Sequence, residues 1–135
     1  MKIRIDIRYA LVTAASIAVL YGLSSVPDRN GVQHDPALLF VENLSHAPLF
    51  AALALAWHKT VTRGLPASAH SLAFAALAAG ACAVLDEWHQ SLVPGRDASA
   101  SDLLVDFAGI ATMLMFLQWR GRRVARPHTA VPTAH

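Results

Sequence analysis

Residues 67–119 read ASAHSLAFAALAAGACAVLDEWHQSLVPGRDASASDLLVDFAGIATMLMFLQW, two long apolar runs joined by a stretch carrying Asp86, Glu87, His89, Gln90, Arg96, Asp97, Asp102 and Asp106. Runs of this length and character suit a lipid bilayer, whose hydrocarbon core of about 30 Å takes roughly 20 residues of helix. Ionisable groups at that depth cost roughly 2.5–3.5 kcal/mol each on insertion scales, so they normally face a bundle interior or an aqueous cavity. The polar stretch between the two runs is therefore where function is expected.

Two further runs lie upstream, and together they predict an all-α integral membrane bundle of four transmembrane helices. The first span covers about Tyr9 to Val26 and is ended by the turn residues Pro27-Asp28-Arg29-Asn30-Gly31. The second begins at Pro36, a residue suited to a first helical position, with Asp35 as its N-cap, and continues to about Trp57. The third runs from about Ala67 to Ser91, ahead of Pro94-Gly95, and the fourth from about Ser101 to Trp119. With 135 residues, 55% hydrophobic and 15% charged, the chain reads as one domain, residues 1–126, followed by a disordered tail, residues 127–135. No internal repeat appears, and no clear small-xxx-small face argues for self-association. Cys82 is the lone cysteine, so it has no internal disulfide partner.

The formal charge of +2 conceals a segregation. Lys2, Arg4 and Arg8 open the chain, Lys59 and Arg63 lie between spans two and three, and Arg120, Arg122, Arg123 and Arg126 follow span four. Positively charged short loops stay cytoplasmic, so both termini are expected on the cytoplasmic side. The opposite loops hold Arg29 and Arg96 with Asp28, Asp35 and Asp97. The basic ends flank apolar runs rather than lining a motif helix, so no nucleic-acid partner is expected. A cleaved signal peptide is the alternative reading of the first span, but the run is long for that role and Ser24-Ser25-Val26-Pro27 is a poor cleavage site.

This topology brings Glu42, His46, Asp86 to Gln90, Asp102 and Asp106 to one side. Helical spacing puts Glu42 with His46, Asp86 with His89 and Gln90, and Asp102 with Asp106 on common faces, and it turns Trp88 away as an interfacial anchor. Each residue also has a purely structural reading. Asp102, with Ser99 and Ser101, suits the cap of span four. Arg96 suits a carboxylate or a lipid phosphate, either histidine suits an interhelical hydrogen bond, and Glu87 suits the loop. Asp106, a turn deeper, is the hardest to dismiss, and Pro48 frees the Leu44 carbonyl beside His46.

These residues resemble the VanZ-like family of small bacterial membrane proteins, whose hallmark is an acidic residue, His-Gln, an arginine-containing loop and an Asp-rich start to the next helix. Here the pattern is carried by Asp86, Glu87, His89, Gln90, Pro94-Gly95-Arg96, Ser99, Asp102, Asp106 and Gly109, with Glu42, Asn43 and His46 as a weaker upstream element. Asn43 stands where the family commonly has Lys, and Asp106 where it usually has Asn. The resemblance implies a multi-pass protein of the bacterial cytoplasmic membrane. It also implies a link, through the family's name-giving member, to low-level resistance to the glycopeptide teicoplanin, without supplying an established reaction.

Two functions fit the polar group. In the first, an enzyme hydrolyses or transfers a lipid or glycan headgroup at the outer face. Asp86, His89, Asp102 and Asp106 are then the acid/base set, with Asp86 a base or the orienter of His89, while Glu42, His46, Gln90, Arg96 and Ser99 bind substrate. In the second, the same residues bind a lipid headgroup, a peptidoglycan precursor or a glycopeptide without turnover. Mixed carboxylate and imidazole groups also suit zinc or manganese, but no tight ligand motif is present, no metal site is assigned and the cofactor is left unknown. A proton-coupled carrier fits less well, because the polar residues are stacked at one end.

Overall fold

The computed structural model describes residues 5–27, 36–62, 67–96 and 99–124, with the backbone alone for residues 36–45. The expected cap Asp35, the loop residues Asp28, Arg29 and Asp97, the basic residues Lys2, Arg4, Arg63 and Arg126 and the tail 127–135 lie outside the described residues, as does the side chain of Glu42. The chain is all-helical: α1 (Ile7–Ser24), α2 (Pro36–Thr62), α3 (Ala69–Gln90) and α4 (Ala100–Val124). Three of them, α1, α3 and α4, are long and apolar enough to cross a membrane.

The helix boundaries follow local chemistry. Asp6 caps α1, its side chain accepting the backbone N–H of Arg8 at 3.1 Å. Ser68 and Ser71 form a reciprocal capping box at the start of α3. Pro36 opens α2, which extends past the expected end at Trp57 to Thr62 and runs through Pro48. Gly95, with φ of 81°, takes the left-handed conformation that turns the chain from α3 toward α4.

Helix α2 is the hub, packing against each of the other three helices, while α1 and α4 do not touch among the described residues. Contacts fix the directions. The Asp6 N–H donates to the Thr60 carbonyl at 2.9 Å, and the hydroxyls of Thr13 and Thr60 lie 3.2 Å apart, so α1 and α2 are antiparallel. Ser24 and Ser25 reach Asp86 and His89, so α1 and α3 end together. His46 faces Asp106, and Gly121 lies near Ala67, so α4 runs parallel to α2 and antiparallel to α3.

The interior is built from small residues and a few large ones. Ala75, Ala79 and Ala83 form a stripe of period four on α3, each fully buried, and Ala79 and Ala83 pack in a core with Leu20, Phe50, Leu53, Ala54 and Ile110. A small-xxx-small stripe thus exists after all, and it serves packing within the chain, letting backbones approach where lipid tails supply no hydrophobic drive. Backbones approach closely at Gly109, where an added Cβ would overlap the backbone carbonyl of Ala47. Large apolar side chains point outward instead, Leu77, Leu104 and Met115 among them.

The bundle is electrically lopsided. One end carries Arg8, Lys59, Arg120, Arg122 and Arg123 with Asp6 as its one described carboxylate, and the Arg123 guanidinium lies 4.0 Å from the Trp119 ring centroid. The other end gathers Asp86, Glu87, Asp102 and Asp106.

Candidate functional site

Asp106 is the most deeply placed of the acidic groups, with 2% of its side chain exposed. Its Oδ1 lies 3.5 Å from Nδ1 of His46; both atoms are buried and face each other at ion-pair distance, and neither makes a closer hydrogen bond among the described residues. Helix α4 brings Asp106 there because Gly109, one turn on, lets it press against α2 at Ala47, next to His46. Asp86 and Asp102 lie close enough to act electrostatically on His46 as well.

Asp86 is held differently. Its Oδ1 accepts the Ser24 hydroxyl at 2.5 Å and its Oδ2 accepts the Gln90 amide at 2.9 Å. The expected orienting contact from Asp86 to His89 is not formed. They share a face, but Asp86 turns toward α1, and Nε2 of His89 lies 2.9 Å from the Ser25 hydroxyl with the imidazole stacked on Tyr21 at 4.3 Å. Trp88, on the outer face, is 63% exposed.

The connection into α4 is ordered by its own polar groups. Glu87 accepts the backbone N–H of Ser99, tying the loop to the end of α3. The Ser99 carbonyl accepts the N–H groups of Asp102 and Leu103, and its hydroxyl accepts the N–H of Ser101 at 3.2 Å, so Ser99 opens α4. Asp102 sits in the first turn, where a carboxylate suits the helix dipole, and accepts the Ser101 hydroxyl at 3.3 Å. Arg96 is half-buried in the loop, and among the described residues no carboxylate lies within ion-pair distance of it. Among these residues, too, no three His, Cys, Asp or Glu side chains are arranged to hold a metal ion.

The candidate residues thus fall into two neighbouring groups: His46 with Asp106 and Asp102 between α2 and α4, and Asp86, His89 and Gln90 on the α1 side of α3. Three residues of α1 were missed. Ser24, Ser25 and Tyr21 contact the two groups of α3 with most chemistry in them, yet in sequence Ser24-Ser25 stands out only as the polar end of an apolar run. A groove of about 270 Å³ lies between α1 and α3, lined by Ile17, Leu20, Tyr21, Cys82, Leu85 and Asp86 and flanked by Trp88.

No family model, curated protein or solved structure matches the chain.

Proposed function

We propose that this chain is a VanZ-like cell-envelope protein that crosses the bacterial cytoplasmic membrane four times, with both termini cytoplasmic, and that its acidic end works on a lipid or glycan headgroup by hydrolysis or transfer. The observation that carries this reading is the His46–Asp106 contact between α2 and α4, with Asp86 and Asp102 close enough to act electrostatically on His46. Ionisable groups gathered at one end of an apolar bundle are costly, and such clusters ordinarily face a bundle interior or an aqueous cavity.

In this reading α2 is the fourth span. His89 transfers the proton, Asp86, Asp102 and Asp106 supply the acid/base carboxylates, and Glu42, His46, Gln90, Arg96 and Ser99 hold the headgroup. Arg96, with no carboxylate partner among the described residues, suits a phosphate or carboxylate of the substrate. The teicoplanin link belongs to the same proposal, as the consequence of altering or holding an envelope precursor. A non-catalytic binder is the second reading, favoured by the state of Asp86, both of whose oxygens are already occupied.

Mass spectrometry of envelope lipids and lipid-linked precursors, incubated with wild type, Asp86→Asn and His89→Ala protein, separates the two. A species converted by wild type alone supports the enzyme. A species that copurifies with wild type unchanged and is lost from both variants replaces it with the binder.

A further inference from the structure

Ser25 is the C-cap of α1, and His89 lies in the last turn of α3. Their side chains meet at 2.9 Å between Oγ and Nε2, the separation at which an imidazole takes a hydroxyl proton. Stacking on Tyr21 at 4.3 Å fixes the plane of the His89 ring. The Ser25 hydroxyl also lies 2.6 Å from the Tyr21 carbonyl, so rotation about Cβ–Oγ directs its hydrogen to either acceptor.

The α1–α3 groove stops one helical turn short of Ser25, with Tyr21, the residue stacked on His89, in its lining. Its lining is almost wholly apolar, running from Ile17 to Tyr21 on α1 and from Cys82 to Trp88 on α3, so Ser25 and His89 sit just past its end. It lies on the outer face between two membrane-spanning candidates, where the surrounding medium is hydrocarbon, and exposed Tyr21 and Trp88 mark the headgroup level at its mouth. An acyl chain is the occupant that matches an apolar groove open to the bilayer and ending at a polar pair.

We propose that Ser25 is a nucleophile with His89 as its general base, and that the substrate is an acyl ester of a membrane lipid whose tail lies in the α1–α3 groove. The inference rests on the reading of this end as a headgroup-level enzyme site and names its substrate class. Oγ of Ser25 attacks the ester carbonyl carbon as its proton passes to Nε2 of His89. The tetrahedral adduct then breaks its bond to the alcohol oxygen, and the departing alcohol takes that proton. Water, giving a proton to the same Nε2, attacks the acyl-Ser25 carbonyl and releases the fatty acid, and the proton returns to Oγ.

The test is labelling of the purified full-length protein in phosphatidylglycerol vesicles with dodecyl fluorophosphonate, which loses fluoride to an activated serine, followed by intact-mass measurement and peptide mapping. The expected result is a single adduct on Ser25, absent from Ser25→Ala, at least ten-fold slower in His89→Gln and unchanged in Ser16→Ala. An ethyl fluorophosphonate, lacking the tail, is expected to label at least ten-fold more slowly. Ser25→Cys in a Cys82→Ala background supplies a second readout, alkylation by iodoacetamide that slows when His89→Gln is added. No adduct, an adduct elsewhere, or labelling and alkylation indifferent to His89 overturns the proposal. Lipid turnover by a protein that is not labelled at Ser25 removes the nucleophile and leaves the headgroup reading standing. Labelling at Ser25 with no envelope lipid converted upholds the Ser25–His89 pair and overturns both the lipid-ester substrate and the headgroup reading.

Discussion

At the scale of single residues, the His46–Asp106 pair joins α2 to α4 through a contact of 3.5 Å between buried atoms. Asp106→Asn keeps an acceptor oxygen opposite Nδ1 of His46 and removes a charge from a place almost without water. Its thermal stability in detergent, followed by scanning fluorimetry, is therefore expected to match or exceed wild type. Asp106→Ala leaves the buried imidazole facing a void and is expected to lose about 1–3 kcal/mol, the penalty for stranding a buried polar group. Equal melting temperatures for Asp106→Ala and wild type would show that the pair has no structural weight. The depth of Asp106 was legible in sequence because an acidic residue interrupts an apolar run a turn inside its start. Its partner was legible only as one histidine among several, since pairing across α2 and α4 depends on the depth of each helix in the bundle.

At the scale of the helices, small residues decide how the polar groups are presented. The Ala75, Ala79 and Ala83 stripe and Gly109 let α3 and α4 approach their neighbours, and Gly109 sits one turn from Asp106. A methyl at Gly109 meets backbone rather than a flexible side chain, so the strain cannot be relieved by a rotamer change. Gly109→Ala is expected to destabilise the protein by about 1–3 kcal/mol or more, read by unfolding in mixed micelles, and to separate α2 from α4. Ala79→Gly, which removes volume instead of adding it, makes a useful comparison, and an unchanged Gly109→Ala protein would mean that the two helices pack less closely than described. Helix positions were close to legible from apolar run length, and the ends shifted by a few residues where caps such as Asp6 and Ser68 took over. The function of the alanine stripe was not, because alanines at period four look the same whether they face a neighbour or lipid.

At the scale of the whole molecule, the separation of charge between the two ends is what the proposed orientation rests on. Among the described residues Arg8, Lys59, Arg120, Arg122 and Arg123 share one end with Asp6, the carboxylate cluster lies at the other with Arg96, and the proposal takes the basic end as cytoplasmic. A cysteine introduced at Ser99 in a Cys82→Ala background is expected to react with an impermeant thiol reagent on intact cells. Labelling only after lysis would invert the orientation and the proposed site with it. The sequence by itself determined that the chain is helical, that its apolar runs are long enough for a membrane and that its carboxylates gather at one end, because run length, composition and helical period are local properties. Only the tertiary structure decided that Asp86 and His89 turn to Ser24 and Ser25 rather than to each other, and that Asp106 meets His46. Those partners lie on different helices, and their pairing depends on how closely the backbones pack and in which direction each helix runs.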